Sequence, residues 1–265
     1  PAASQIDDCT TAVPGVGLAN EAFMIGIRRA TALLFLSLFF WQYLLTAVLG
    51  PEELFQFCLA LAACYGVAFM GVAAEWFWAR WFAMGLGNFG AVILALGLLQ
   101  IGPDPSILIF GIPHLVITAF LAGEGMAAQY EHSEATTERW NFQEESLALM
   151  RRAVRSAGFS LPILIVWALG PEADAFALAV LGLAVVGFIG MIRGRTWSVA
   201  ALGAAGAGAL LSGLGLFGTP AVGYLFLDPT GSLVVSGSIF PLLAACLLIV
   251  PAIFASPITR YLRSR

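Results

Sequence analysis

Eight apolar runs separated by short polar turns organise the chain, at roughly 31–49, 54–74, 81–101, 105–123, 156–169, 175–192, 196–217 and 233–255. Most match the roughly 20 residues that a helix needs to cross the hydrocarbon core of a bilayer. The pattern predicts an all-α, polytopic membrane protein with eight transmembrane helices. The fifth run is the shortest and contains Pro162. It reaches the required depth if Arg155 snorkels and the helix begins upstream.

The turns at one end of these runs share a design: Gly50-Pro51, Gly102-Pro103, Gly170-Pro171 and Gly218-Thr219-Pro220. Glycine takes a left-handed helix cap cheaply, and proline suits the first turn of the next helix, where its missing N–H is not needed. Asp104-Pro105 adds an N-cap followed by proline at the first helical position. The result is four hairpins. Arg28-Arg29 and Gly50-Pro51-Glu52 recur as Arg151-Arg152 and Gly170-Pro171-Glu172, while Trp81, Gly87 and Gly102 recur 116 residues later as Trp197, Gly203 and Gly218. Four-span units in tandem have an even number of crossings, so the repeat predicts two halves in parallel orientation.

The expected divisions are a tail at 1–27, a first four-helix half at 28–126, a linker helix at 127–150, a second half at 151–257 and a basic C-terminus at 258–265. Residues 1–27 lack the basic and apolar order of a signal peptide and read as mostly irregular, with a short helix from Asn20. In the linker, Glu131, Glu134, Glu138, Glu144 and Glu145 are expected to be solvated. Asn141-Phe142-Gln143-Glu144 has capping-box spacing and predicts a helix running through Arg151 into the fifth span. Trp140 and Phe142 suit a membrane surface.

Composition agrees with the pattern: 60% of residues are hydrophobic and 11% charged, against about a quarter charged in soluble domains. All 12 basic residues are arginines. With the N-terminus inside, every one falls on the cytoplasmic side, and the outer loops hold acids instead, so both termini and the linker are expected to be cytoplasmic. The expected location is a prokaryotic inner (plasma) membrane. The net charge of −4 and the lack of a continuous basic stripe argue against nucleic acid. The expected partners are the lipid bilayer and other membrane subunits or further copies of the chain.

The seam Ala74–Trp81 holds three tryptophans between two spans, and Glu75, Trp76, Trp78, Arg80 and Trp81 are assigned to the membrane interface, with Glu75 within reach of Arg80. Ala204, Gly208 and Ser212 form a small-xxx-small face for close helix packing. Polar side chains at membrane depth are costly and mark candidate sites. Gln42, Asn88, His114 and Thr118 are the candidates for ligand binding. His114 follows Pro113, so its ring can also serve structurally by bonding a carbonyl that the proline releases. Cys9, Cys58, Cys64 and Cys246 lack metal spacing and read as small apolar residues. The other histidine, His132, lies in the linker, and neither a metal site nor a cofactor is expected. No catalytic residue is assigned.

Gly111-Ile112-Pro113-His114 resembles the opening of the histidine motif of membrane carotene-cleaving dioxygenases, without the further histidines that would hold iron. Pro51-Glu52-Glu53 is similar to the acidic motif of membrane lycopene cyclases, lacking the residue between proline and the glutamates. The Arg-Trp-led hairpins resemble the HdeD-type family of small membrane proteins.

These features leave three classes of function. The first is a non-catalytic structural or accessory subunit of a membrane assembly. The second is a carrier or channel for a small neutral or apolar solute. The third is an intramembrane enzyme acting on a lipid or isoprenoid. The chain has no lysine for a Schiff base and no phosphate loop, and no carboxylate lies clear of the span ends.

Overall fold

The computed structural model describes residues 14–100, 102–132, 144–170, 174–217, 224–228, 231–235, 237–253, 256, 259, 260 and 263. Cys9, Trp140, Phe142, the Asn141–Gln143 part of the capping box and the Gly218–Pro220 turn lie outside them. The described residues form helices α1 (Pro14–Leu49), α2 (Phe55–Ala73), α3 (Ala79–Gln100), α4 (Pro105–Leu121), α5 (Glu124–Glu131), α6 (Glu144–Ala168), α7 (Ala175–Ile192), α8 (Trp197–Gly213) and α9 (Ile239–Ile253). A short 3-10 turn, Glu52–Leu54, leads into α2.

Among the described residues, four helices are long and apolar enough to cross a membrane: Phe23–Leu49, Glu52–Ala73, Ala79–Gln100 and Ala175–Ile192. A fifth is added if α4 and α5, bent by 72°, count as one span. At 17 and 15 residues, α8 and α9 are apolar but shorter. In α6 the apolar stretch begins only after Arg155, one residue before Ser156. Several apolar helices of this kind mark an integral membrane protein.

Two expectations about element boundaries need correction. Residues 14–27 of the expected tail are helical and not irregular, because α1 is continuous from Pro14, while residues 1–13 lie outside the described residues. Proline at the first helical position suits this early start. The eighth run is not helical from 233. Tyr224–Asp228 pairs antiparallel with Gly231–Val235, Asp228 opposite Gly231, and α9 starts only at Ile239. Asp228-Pro229-Thr230-Gly231 between an aromatic-containing run and a valine-containing run is a hairpin signal that helix periodicity overrides too readily.

Of the described turn glycines, Gly102 takes the left-handed cap, whereas Gly50 and Gly170 do not. Asp104 accepts a hydrogen bond from the Ser106 N–H at 2.8 Å, with Pro105 as the first helical residue. Asp174 does the same for Ala177 at 2.6 Å. Gly102 has φ +89°, the conformation for which glycine is suited.

The turns at the other end repeat more closely than the sequence indicates. After α2, the Ala74 and Trp76 N–H groups donate to Met70 and Gly71 at 2.8 and 2.9 Å, and Glu75 has φ 56°. After α7, Arg193 and Arg195 donate to Ile189 and Gly190 at 3.2 and 2.8 Å, and Gly194 has φ 70°. This matches residues 119 apart, Glu75 with Gly194 and Gly71 with Gly190. The 116-residue register drawn from Trp81 and Trp197 does not describe the turn, and Trp81 is buried where Trp197 is half exposed.

Helix α1 packs on α2 and α4, α2 on α3, and α3 on α4. Likewise α6 packs on α7 and α9, α7 on α8, and α8 on α9. The α3–α6 contact is the largest between these two sets, with a smaller one from α2 to α6. At that contact a Cβ on Gly85 would lie 2.6 Å from the Arg155 carbonyl oxygen and 2.8 Å from the Phe159 nitrogen.

Candidate functional site

His114 sits at the meeting point of four helices and is fully buried. Helix α3 makes room for it with glycine: a Cβ on Gly90 would stand 2.0 Å from the His114 Cγ, and one on Gly87 would meet the Thr118 hydroxyl at 2.2 Å. The imidazole Nδ1 lies 2.7 Å from the Phe110 carbonyl oxygen, and Nε2 lies 2.6 Å from the Tyr65 hydroxyl. A carbonyl can only accept, so Nδ1 carries the hydrogen and Nε2 accepts from Tyr65. In the neutral ring both nitrogens are then occupied.

Phe39 of α1 and Phe110 enclose the ring, with centroids 4.0 and 4.5 Å away. Tyr43 stacks on Tyr65 at 5.5 Å. The carbonyl that Pro113 releases belongs to Ile109, four residues back. His114 bonds Phe110 instead, four residues before itself, so the expected compensation for the proline is not the bond that forms.

The other predicted polar residues divide. Thr118 donates to the Asn88 side-chain oxygen at 3.5 Å, beside His114 on the α3–α4 contact. Gln42 is exposed on α1 and does not join them. Sequence reasoning missed Tyr65. Its spacing from any other polar residue gave no signal, and its pairing with His114 depends on how α2 crosses α4.

A second constellation lies where α3, α4, α5 and α6 meet. Glu131 is 2% exposed. It accepts from Arg80 and Arg151 and, at 2.8 Å, from the Trp81 indole N–H. Arg80 also donates from Nε to the Leu121 carbonyl at 2.7 Å and from Nη2 to the Gly123 carbonyl at 3.4 Å. The Leu121 carbonyl ends α4, and the Gly123 carbonyl, just before α5, also accepts from the Ala127 N–H at 3.1 Å. The helix start at Glu124 then turns α5 across the end of the bundle, with Met126 and Tyr130 fully buried. Tyr130 donates to the Val72 carbonyl at 2.9 Å.

Several interface assignments change accordingly. Trp81, Arg80 and Trp78 are 0%, 5% and 7% exposed, so they belong to the interior, while Trp76 is 47% exposed. Glu131 is not a solvated linker residue. Glu75 pairs with Arg29, not with Arg80, and also accepts from Gln129 Nε2 at 2.9 Å. Arg29 donates to the Ala73 carbonyl at 2.7 Å, and Arg28 reaches the Ala119 and Ala122 carbonyls. A residue count along the seam cannot reveal these pairs, because each joins helices more than 40 residues apart.

The proposed small-residue face is split between environments. Ala204 is exposed and Ser212 buried, and a Cβ on Gly208 would lie 2.8 Å from Val180 of α7. Toward α9, Gly206 faces Leu248 and Ile249, and Gly213 faces Leu242. Among the described residues, no group of three or more histidine, cysteine or acidic side chains could hold a metal.

No protein-family profile, curated protein or solved structure matches the chain.

Proposed function

We propose that the chain is a non-catalytic, multi-pass membrane protein of eight spans in two tandem four-helix halves, acting as a structural or accessory subunit of a membrane assembly. The observation that carries this reading is the use to which the buried polar groups are put. His114, Tyr65, Arg80, Trp81 and Glu131 spend their hydrogen-bonding capacity on ties between helices. Buried polar groups retained in this way give a fold specificity at some cost in stability.

The two-half arrangement is supported by the matching order of helix contacts in 14–131 and 144–253 and by the repeated turn after α2 and α7. Helix α6 supports an eight-span count, because Arg151 bonds Glu131 at one end while Leu169 and Gly170 line a groove with Ala47 and Gly50 at the other. On the positive-inside rule the α5 end, both termini and the 127–150 linker are cytoplasmic, in a prokaryotic inner membrane.

Purification of the full chain in mild detergent, followed by protein identification, tests the subunit reading. The expected result is a stoichiometric membrane partner. Recovery of a lone chain that moves a solute across vesicles would contradict it. One observation favours that second reading, a carrier for a small neutral or apolar solute. The groove, of about 820 Å³, opens between the α1–α2 and α6–α7 turns, with Val48, Phe55, Leu169 and Leu178 as apolar lining and Glu52, Glu53 and Gln56 as polar lining. It lies away from the Arg80–Glu131–Arg151 cluster that closes the opposite end.

A further inference from the structure

Among the described side chains, arginines outnumber acids at the α5 end of the α3–α6 contact. Arg80, Arg151 and Arg155 lie close enough for the last two to repel the Arg80 guanidinium. The carboxylate that pairs with this group is Glu131, which bonds both Arg80 and Arg151. Arg155 is half-buried and has no ion pair among the described residues. The Nε of Arg151 is also buried without a hydrogen-bond partner, although 37% of its side chain remains accessible.

Burying charge is costly unless it is paired and hydrogen-bonded. Among the described side chains, three guanidinium groups face one carboxylate. Arg151 and Arg155 are four residues apart on α6 and so share one helix face. Arg80 cannot turn toward a ligand, since Nε and both terminal nitrogens are engaged. Its charge acts from behind.

We propose that Arg151 and Arg155 form a binding site for a phosphate-bearing anion, supplied by the headgroup of an anionic lipid. Guanidinium groups match phosphate geometry with paired N–H donors. Basic pockets between membrane helices at headgroup depth hold anionic lipids in this manner. The inference rests on the helices crossing a bilayer, and not on the subunit reading, since it requires no protein partner.

The test uses the full chain in a neutral detergent, with native mass spectrometry and melting curves after addition of phosphatidylglycerol, phosphatidylcholine or inorganic phosphate. Phosphatidylglycerol should remain bound and raise Tm, while phosphatidylcholine should not. Arg155→Gln should weaken phosphatidylglycerol binding about fivefold. Arg193→Gln, a change at an exposed arginine in the α7–α8 turn, should leave it unchanged. Equal effects of the two lipids, or undiminished binding by Arg155→Gln, would overturn the site. An equal Tm shift from inorganic phosphate would overturn the lipid as its source.

Discussion

Gly85 of α3 sits against the α6 backbone at Gly158, and Gly158 sits against α3 at Phe82. A Cβ on Gly85 would lie 2.9 Å from the Gly158 carbonyl carbon, and a Cβ on Gly158 would lie 2.9 Å from both the Phe82 carbonyl oxygen and its ring. Backbone atoms cannot swing aside as a flexible side chain can. Gly85→Ala should therefore cost about 1–3 kcal/mol through overpacking. At Gly26, where no atom lies within 4 Å of an added Cβ, alanine should be neutral or mildly stabilising. Denaturation of both variants in detergent measures the contrast.

Glu131 is the acid on which Arg80 and Arg151 converge. Glu131→Ala would leave a buried arginine unpaired and should destabilise by about 3–5 kcal/mol. Arg151→Ala should cost about 1 kcal/mol or less, because 37% of that side chain is accessible and Arg80 still pairs with Glu131. Equal losses in melting or unfolding measurements would mean that the cluster does not tie α3 to α5 as described.

The His114–Tyr65 bond should appear as a coupling. His114→Leu strands the Tyr65 hydroxyl, and Tyr65→Phe strands Nε2, each costing about 1–3 kcal/mol. In a double-mutant cycle the combined variant should cost less than the sum of the two. His114→Asn cannot span from Phe110 to Tyr65 and should not restore wild-type stability. Additive losses would separate the two residues.

Glu75 stands at φ 56°, which costs a residue with a side chain roughly 1–2 kcal/mol. Glu75→Gly should thus be more stable than Glu75→Ala by about that amount. Both variants lose the partly exposed pair with Arg29, so their difference isolates the backbone. Comparison of their thermal midpoints gives the value.

The helical, membrane-embedded character of the chain is legible from the length of the apolar runs, as are the Asp104 cap and the Gly102 turn, because each depends on adjacent residues. The hairpin at Tyr224–Val235 was hidden because apolar strands and apolar helices look alike when only hydrophobicity is counted. Interior placement of Arg80 and Trp81 was hidden for a different reason. An arginine beside tryptophans suits a headgroup layer equally well, and only the fold of α5 across the bundle end brings Glu131 to meet them. His114 stood out by its chemistry, yet Tyr65, which engages its Nε2, comes from a helix 49 residues earlier.

The central claim, two tandem halves with four spans each, is tested most directly by labelling single cysteines in a chain otherwise free of cysteine. Sites at Glu124 and Arg193 mark the α5 end, and sites at Asp104 and Gly170 mark the other. In sealed right-side-out vesicles, a membrane-impermeant maleimide should label Asp104→Cys and Gly170→Cys, and should reach Glu124→Cys and Arg193→Cys only after permeabilisation. Labelling of Arg193→Cys together with Asp104→Cys in intact vesicles would place the two halves in opposite orientations and contradict the account.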